Sequence, residues 1–221
     1  MELVRPSSDR VVDCGRRDEA TPDETARNAK SFIPDAGRGH DQSAILDAML
    51  LYARNGFHVF PAPPGKKKGV LAAEFSDGIR WGASNDERAI RRNFRTAVEL
   101  LKGRIPNIGI LTGSGFFVLE ADTLAGHGVD RIAALEALER QHGKLPETRT
   151  GESPSGSPHY YFRHPPGIKI SGGKPIAPGV DVCGGGQMVI APPSIGPIAR
   201  DTEIFGQYWW RKEIPMAMAP P

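Results

Sequence analysis

The stretch GFFVLEADT, residues 115–123, limits what this chain can fold into more than any other. Phe116, Phe117, Val118 and Leu119 form an apolar run of the kind found in strands covered on both faces. Side chains alternate along a strand, so Glu120 and Asp122 point to one face while Leu119 and Ala121 point to the other. Two neighbouring carboxylates repel, and burying them uncompensated raises a pKa or costs several kcal/mol. The acidic end is therefore expected at a sheet edge beside a cleft, where a divalent cation removes that cost. Oxygen-only ligands select Mg²⁺ or Mn²⁺, and Mg²⁺ takes one or two protein carboxylates together with substrate phosphates. Acidic residues at strand ends are more often solvated or cap the next helix, so the pair alone does not establish catalysis.

Composition sets outer limits. A chain of 221 residues, 39% hydrophobic and 24% charged, is long enough for one sizeable core, and one large domain is expected. Cys14 and Cys183 lie far apart, with no C-x-x-C or Cys/His cluster to suggest a zinc site; this usage fits a reducing cytosol and a cytoplasmic protein. The N-terminus has no apolar signal-like core and no run of 18 apolar residues occurs, so neither export nor a membrane span is expected. A formal net charge of +2 is too small to indicate nucleic acid by itself, so such a claim must rest on local clusters.

Residues 1–41 mix Arg, Asp, Glu, Pro, Gly and Ser with almost no apolar periodicity, which predicts a disordered tail. From Ser43, a candidate N-cap, the positions Ile45, Leu46, Met49, Leu50 and Ala53 recur at helical spacing up to a stop at Gly56. FHVFPA follows as a strand, and PPGKKKGV as a loop carrying Lys66, Lys67 and Lys68. A second helix begins near Ser84-Asn85-Asp86 and runs through Ile90, Phe94, Val98 and Leu101, with Arg88, Arg91, Arg92 and Arg95 along it. NIGILTG reads as a strand ending in a glycine turn, and GVDRIAALEALERQHG as an amphipathic helix with Ile132, Leu135 and Leu138 inward. HYYFRH, GVDV and QMVIAPPS read as further strands. This mixture, with hairpin-like late strands, argues α+β rather than a parallel sheet.

Two other residues join the acidic pair. SGSPHYYF puts His159 just after a Gly/Ser/Pro turn, where an imidazole can face a cleft, although a lone histidine is more often a satisfied core or turn residue. PGVDVCGGG puts Asp181 between two valines on a strand leading into a glycine turn, a position a turn-capping Asp also explains. In order, VLEADT, SPH and GVDV resemble the three motifs of the bifunctional DNA primase/polymerase (prim-pol) catalytic domain of the archaeo-eukaryotic primase superfamily. YARNGFHVFPAPPGKKK resembles that family's opening helix, strand and basic loop, and GVDVCGGGQMVIAPPS its closing segment. The likeness spans about residues 43–213, so residues 42–213 are expected to form the catalytic domain and 214–221 a C-terminal tail or truncated linker. The chain departs from the pattern at Glu120, where many relatives have Asp, at Cys183, where an arginine is common, and in a longer turn before His159.

The resemblance implies an N-terminal α/β unit packed on an RRM-like antiparallel sheet, with the active cleft between them. It implies primer synthesis or extension by nucleotidyl transfer, with Glu120, Asp122 and Asp181 holding Mg²⁺ or Mn²⁺. Ser157 and His159 would bind the incoming nucleotide, with Lys169, Lys174, Thr150, Ser155 and Gly113 near it. Lys66, Lys67 and Lys68 would track nucleic acid, and a solvated helix face explains the arginines of 88–95 equally well. The implied partners are a DNA template and primer, nucleoside triphosphates and a separately encoded helicase or replication protein; such domains commonly serve plasmids, phages or integrated elements. Two other classes stay open: a nucleotide or single-stranded nucleic-acid binding module with weakened catalysis, and a metal-dependent phosphohydrolase or nuclease. Because the tail offers no core, deleting residues 1–41 is expected to leave the thermal midpoint nearly unchanged, as differential scanning fluorimetry of the two chains would show.

Overall fold

The computed structural model describes residues 42–71, 79–113, 115–124, 131–165, 167–168, 170–173, 175–177, 179–200 and 202–220. The tail of residues 1–41, and with it Cys14, lies outside them, as do Lys169 and Lys174.

Helix α1, Gln42–Arg54, buries Ile45, Met49, Leu50 and Ala53, the stripe its periodicity predicts. Ser43 lies inside the helix rather than capping it. The helix stops where Gly56 turns left-handed at φ 86°, with Gly56 N–H on Ala53 O and Phe57 N–H on Tyr52 O, the double bond of a Schellman end. Helix α2, Glu87–Leu100, starts from Asp86, whose side chain accepts from Ala89 N–H at 2.8 Å, and packs Ile90, Phe94 and Ala97 inward. Arg88, Arg91, Arg92 and Arg95 lie on its exposed or half-exposed side, with Arg91 donating to Glu87.

These helices cover a small antiparallel sheet of β1 (His58–Ala62), β2 (Asn107–Leu111) and β8 (Met188–Ala191), in the order β1-β2-β8. A larger sheet holds β3 (Phe116–Ala121), β4 (Thr150–Glu152), β5 (Pro158–Arg163), β6 (Pro175–Ala177), β7 (Val180–Cys183) and β11 (Trp209–Lys212), in the order β11-β4-β5-β3-β7-β6. A short pair, β9 (Ile195–Pro197) and β10 (Phe205–Gln207), completes the antiparallel strands. The described elements make an α+β fold in which antiparallel sheet and helix segregate. Among the described residues no helix is long and apolar enough to cross a membrane.

Alternation on β3 divides the interior. Phe116 and Val118 join α1, α2 and the small sheet in one core, together with Val59, Ile108, Ile110 and Tyr161. Phe117, Leu119 and Ala121 point to the other face and pack with Phe162, Val180 and Leu135 of α3, Ile132–His142. Ile132 is exposed rather than inward: it is the first residue of α3, and the stripe that packs is Ala134, Leu135 and Leu138. The sheet also continues past residue 213, where the extent of the resemblance suggested a tail. Ala217 and Met218 form β12 and pair in parallel with Phe162 and Arg163 of β5, held by Ala217 N–H on Thr148 Oγ1 at 2.9 Å. That cover comes from residues far away in sequence, which a short Pro-rich segment does not reveal.

Strand β3 does not lie at a sheet edge. It pairs with β5 on one side and β7 on the other, so its acidic end is the end of a central strand. On the face of the small sheet shared by Phe60, Met188 and Ile190, Phe60 stands opposite Gly109, where an added Cβ would come within 2.3 Å of the ring. Gly109→Ala is thus expected to destabilise the protein by about 1–3 kcal/mol in urea unfolding. Combining it with Phe60→Leu should recover part of the loss if ring contact is the cause.

Candidate active site

Strand register builds the site. Glu120 of β3 faces His159 of β5 across one ladder and Asp181 of β7 across the other. Directly opposed residues share a face, so His159, Glu120 and Asp181 form one row across three strands. It is the face on which Phe116 and Val118 enter the core, so the row continues an apolar surface as a polar one. Asp122 lies two residues beyond Glu120, just past the end of β3, and is buried.

Glu120 is 4% exposed. Burial alone would raise its pKa, but the Lys67 ammonium, which donates to Oε2 at 3.0 Å, holds it at about 2. Oε1 is buried without a hydrogen-bond partner, with His159 Nε2 at 3.8 Å. Lys67 is in turn raised, chiefly by the charge of Glu120. Burial lowers the pKa of His159 against the pull of Glu120, so its imidazole is neutral at pH 7. The Cys183 thiol is raised by burial and then by Glu120, and stays protonated.

The other two carboxylates share a different cation. Arg131, at the start of α3, donates from Nη1 to Asp122 Oδ2 at 2.7 Å and to Asp181 Oδ2 at 3.3 Å. Its backbone N–H also donates to Asp122 O, at 3.1 Å. Nothing in the sequence singles out Arg131, because its contacts lie 9 and 50 residues away.

Two hollows flank the row, and Lys67 lines both. One, of about 370 Å³, is walled by Lys66, Asp122, Ser155, Ser157, His159 and Tyr208. The other, of about 420 Å³, is walled by Glu120, Asp181, Cys183, Arg80 and Trp81. The turn before His159 is tied to the end of β3: Thr123 N–H donates to Ser157 Oγ at 3.2 Å, and Thr123 Oγ1 to Ser155 O at 2.6 Å. Ser153, Ser155 and Ser157 follow one another hydroxyl to hydroxyl at 3.0 and 3.4 Å along the first hollow.

The structure therefore brings together Glu120, Asp122, Asp181, His159, Ser157, Lys66 and Lys67. It leaves Thr150 elsewhere: Thr150 pairs with Tyr160, one residue out of step with His159, and so faces the α3 side, where its hydroxyl donates to Thr148 O. Gly113 meets the turn after β7 rather than either hollow; an added Cβ there would lie 2.5 Å from Gly185 Cα. Lys68 is exposed in the basic loop and lines neither hollow. Tyr208, tilted against His159 at 6.0 Å, and Arg200, on the rim of the first hollow, come from the connections beside the chain's last strands and carry no sequence signal.

Among the described residues no group of three or more His, Cys, Asp or Glu side chains is arranged to hold a metal ion. The donor chemistry nonetheless fits a hard divalent cation. The carboxylates sit on one face, each already paired with a cationic nitrogen, and Glu120 Oε1 is a buried acceptor without a partner.

The Glu120–Lys67 pair can be tested directly. Lys67→Met should cost about 1–3 kcal/mol in urea unfolding, because a buried carboxylate loses its donor, and adding Glu120→Gln should restore most of it. The folded pKa of Glu120, about 2, is below its ordinary 4.5. Its stabilising contribution is therefore complete above the upper value and is lost as pH falls toward the lower one. Thermal midpoints measured across that window should fall less steeply in Glu120→Gln than in the parent.

No curated protein matches the chain. The family model of Prim-Pol, described as bifunctional DNA primase/polymerase, N-terminal, matches residues 49–221. That span takes in both sheets and every residue of the row, and the chain belongs to the Prim-Pol family of bifunctional DNA primase/polymerase N-terminal domains.

Proposed function

We propose that this protein is a metal-dependent nucleotidyltransferase that extends, or synthesises and extends, a primer on a DNA template. The observation that carries the proposal is the row His159–Glu120–Asp181, with Asp122 beside it, on one face of the large sheet and bordered by two hollows. Here the large sheet acts as the RRM-like platform and the helix-covered small sheet as the opposing wall of a cleft, since Asn107 and Ile190 of the small sheet line the first hollow with Asp122 and His159.

Glu120, Asp122 and Asp181 would hold Mg²⁺ or Mn²⁺, which when bound acidifies a primer 3′-hydroxyl and neutralises triphosphate charge. The first hollow takes the triphosphate. Neutral His159 offers an N–H to a phosphate oxygen, and the hydroxyls of Ser153, Ser155 and Ser157 offer further donors. Lys66 and Lys67 supply positive charge at its mouth. The 3′-hydroxyl gives its proton to solvent, its oxygen forms a bond to the α-phosphorus as the α–β phosphoanhydride bond breaks, and pyrophosphate leaves toward the lysines. A helicase encoded elsewhere would supply unwound template, in the setting of a plasmid or phage-like element.

Extension of a labelled primer with Mg²⁺ or Mn²⁺ tests this. Asp122→Ala should lower extension by roughly 10²–10³-fold with the fold intact. Single-stranded DNA binding should persist, since removing an acid near a phosphate path does not weaken it. His159→Ala should act mainly by raising the apparent KM for nucleotide. Nucleotide or phosphate release without primer extension would favour a phosphohydrolase instead, and binding without either activity a catalytically silent module.

A further inference from the structure

We infer that Arg131 is an internal counter-ion that occupies the place of a divalent cation between Asp122 and Asp181, and that loading the metal requires its displacement. The inference rests on the metal-dependent reading of the same carboxylates and adds a residue that competes for them. It begins with a single nitrogen: Nη1 reaches both Asp122 Oδ2 at 2.7 Å and Asp181 Oδ2 at 3.3 Å. A metal ion shared by these oxygens and the guanidinium nitrogen cannot occupy one point together.

The route of the side chain is also built for it. Its stem crosses Gly179, where an added Cβ would lie 2.1 Å from both Cγ and Cδ and 2.4 Å from Nε. Gly179 sits at φ 83°, so backbone conformation and the arginine's passage both require glycine at that point. Gly179, two residues before Asp181, thus opens the path along which Arg131 reaches the acid row.

The fit is incomplete in a way that favours exchange. Arg131 Nε is buried with no acceptor, while Glu120 Oε1 nearby on the same row is buried with no donor. Leaving such groups unpaired carries a penalty, and two carboxylates otherwise facing each other set the arginine there against it. A small dication satisfies hard carboxylate oxygens with twice the charge and no directional donor to strand. Arg131 thereby keeps the acid row compact when no metal is bound and lowers apparent metal affinity, since binding must first displace it.

The test is Mn²⁺ binding, read by loss of the free-ion electron paramagnetic resonance signal, which does not depend on catalysis. Arg131→Gln is expected to bind Mn²⁺ about tenfold or more tightly than the parent, a coupling of ordinary size for two ligands of one site. Without metal its thermal midpoint should fall, and added Mn²⁺ should raise that midpoint by more than it raises the parent's. Arg131→Lys, which keeps the charge on a shorter arm, should fall between the two. Gly179→Ala, which leaves the arginine in place but blocks its path, should shift affinity in the same direction as Arg131→Gln. Affinity in Arg131→Gln equal to or weaker than the parent's, with binding lost in Asp122→Asn, would overturn the counter-ion role and leave the metal site standing. Absence of Mn²⁺ binding in the parent and in both Arg131 variants would overturn the metal site and the counter-ion role together.

Discussion

A carboxylate almost wholly removed from water in the middle of a sheet must have a cation, and Lys67 supplies it to Glu120. Much of the local architecture follows from bringing that ammonium to that oxygen. Strand β1 must lie in the small sheet so that its following loop, PPGKKKG, hangs over the end of β3. The small sheet must in turn pack on the face of the large sheet that carries Phe116 and Val118, so that the loop arrives on the Glu120 side. Lys67 is the residue common to both hollows, so one ion pair sets the charge of Glu120 and divides the space around it.

The row exists because β3 is central. With β5 and β7 on either side, a single position on β3 has two direct neighbours, and at Glu120 these are the polar residues of two short motifs. One residue earlier the same ladders hold Leu119, Tyr160 and Val182, which belong to the core under α3. Shifting either pairing by one residue would exchange these sets and bury the acids beneath a helix. The apolar alternation that stabilises the sheet therefore also fixes where the carboxylates stand.

Features governed by one strand's own period were legible in the sequence. Glu120 and Asp122 share a face because they are two apart, and Asp181 and His159 announce themselves as polar residues within short apolar strands. What depended on pairing between strands was not. Thr150 is close to His159 in sequence, but β4 sets Gly151 opposite it and turns Thr150 away. The acidic strand end suggested an edge because an unpaired rim is the simplest place for charge, whereas the structure pays for a central position with Lys67 and Arg131. Arg131 stands one residue before an amphipathic helix and looks like part of its solvated start; only the approach of Asp122, Asp181 and Gly179 gives it a role.

Charge balance explains why a neutral histidine belongs in such a row. Glu120, Asp122 and Asp181 are directly paired with Lys67 and Arg131. A protonated His159, with Nε2 already 3.8 Å from Glu120 Oε1, would compete with Lys67 for the same carboxylate. Burial prevents this by lowering the His159 pKa, and the Tyr208 ring tilted over the imidazole helps to exclude water there. On the metal-dependent reading, the row would then take a cation at its acidic end while offering an uncharged N–H at the other. That polarity runs along the sheet from Asp181 to His159, the direction in which a cation and an anionic ligand would have to lie side by side.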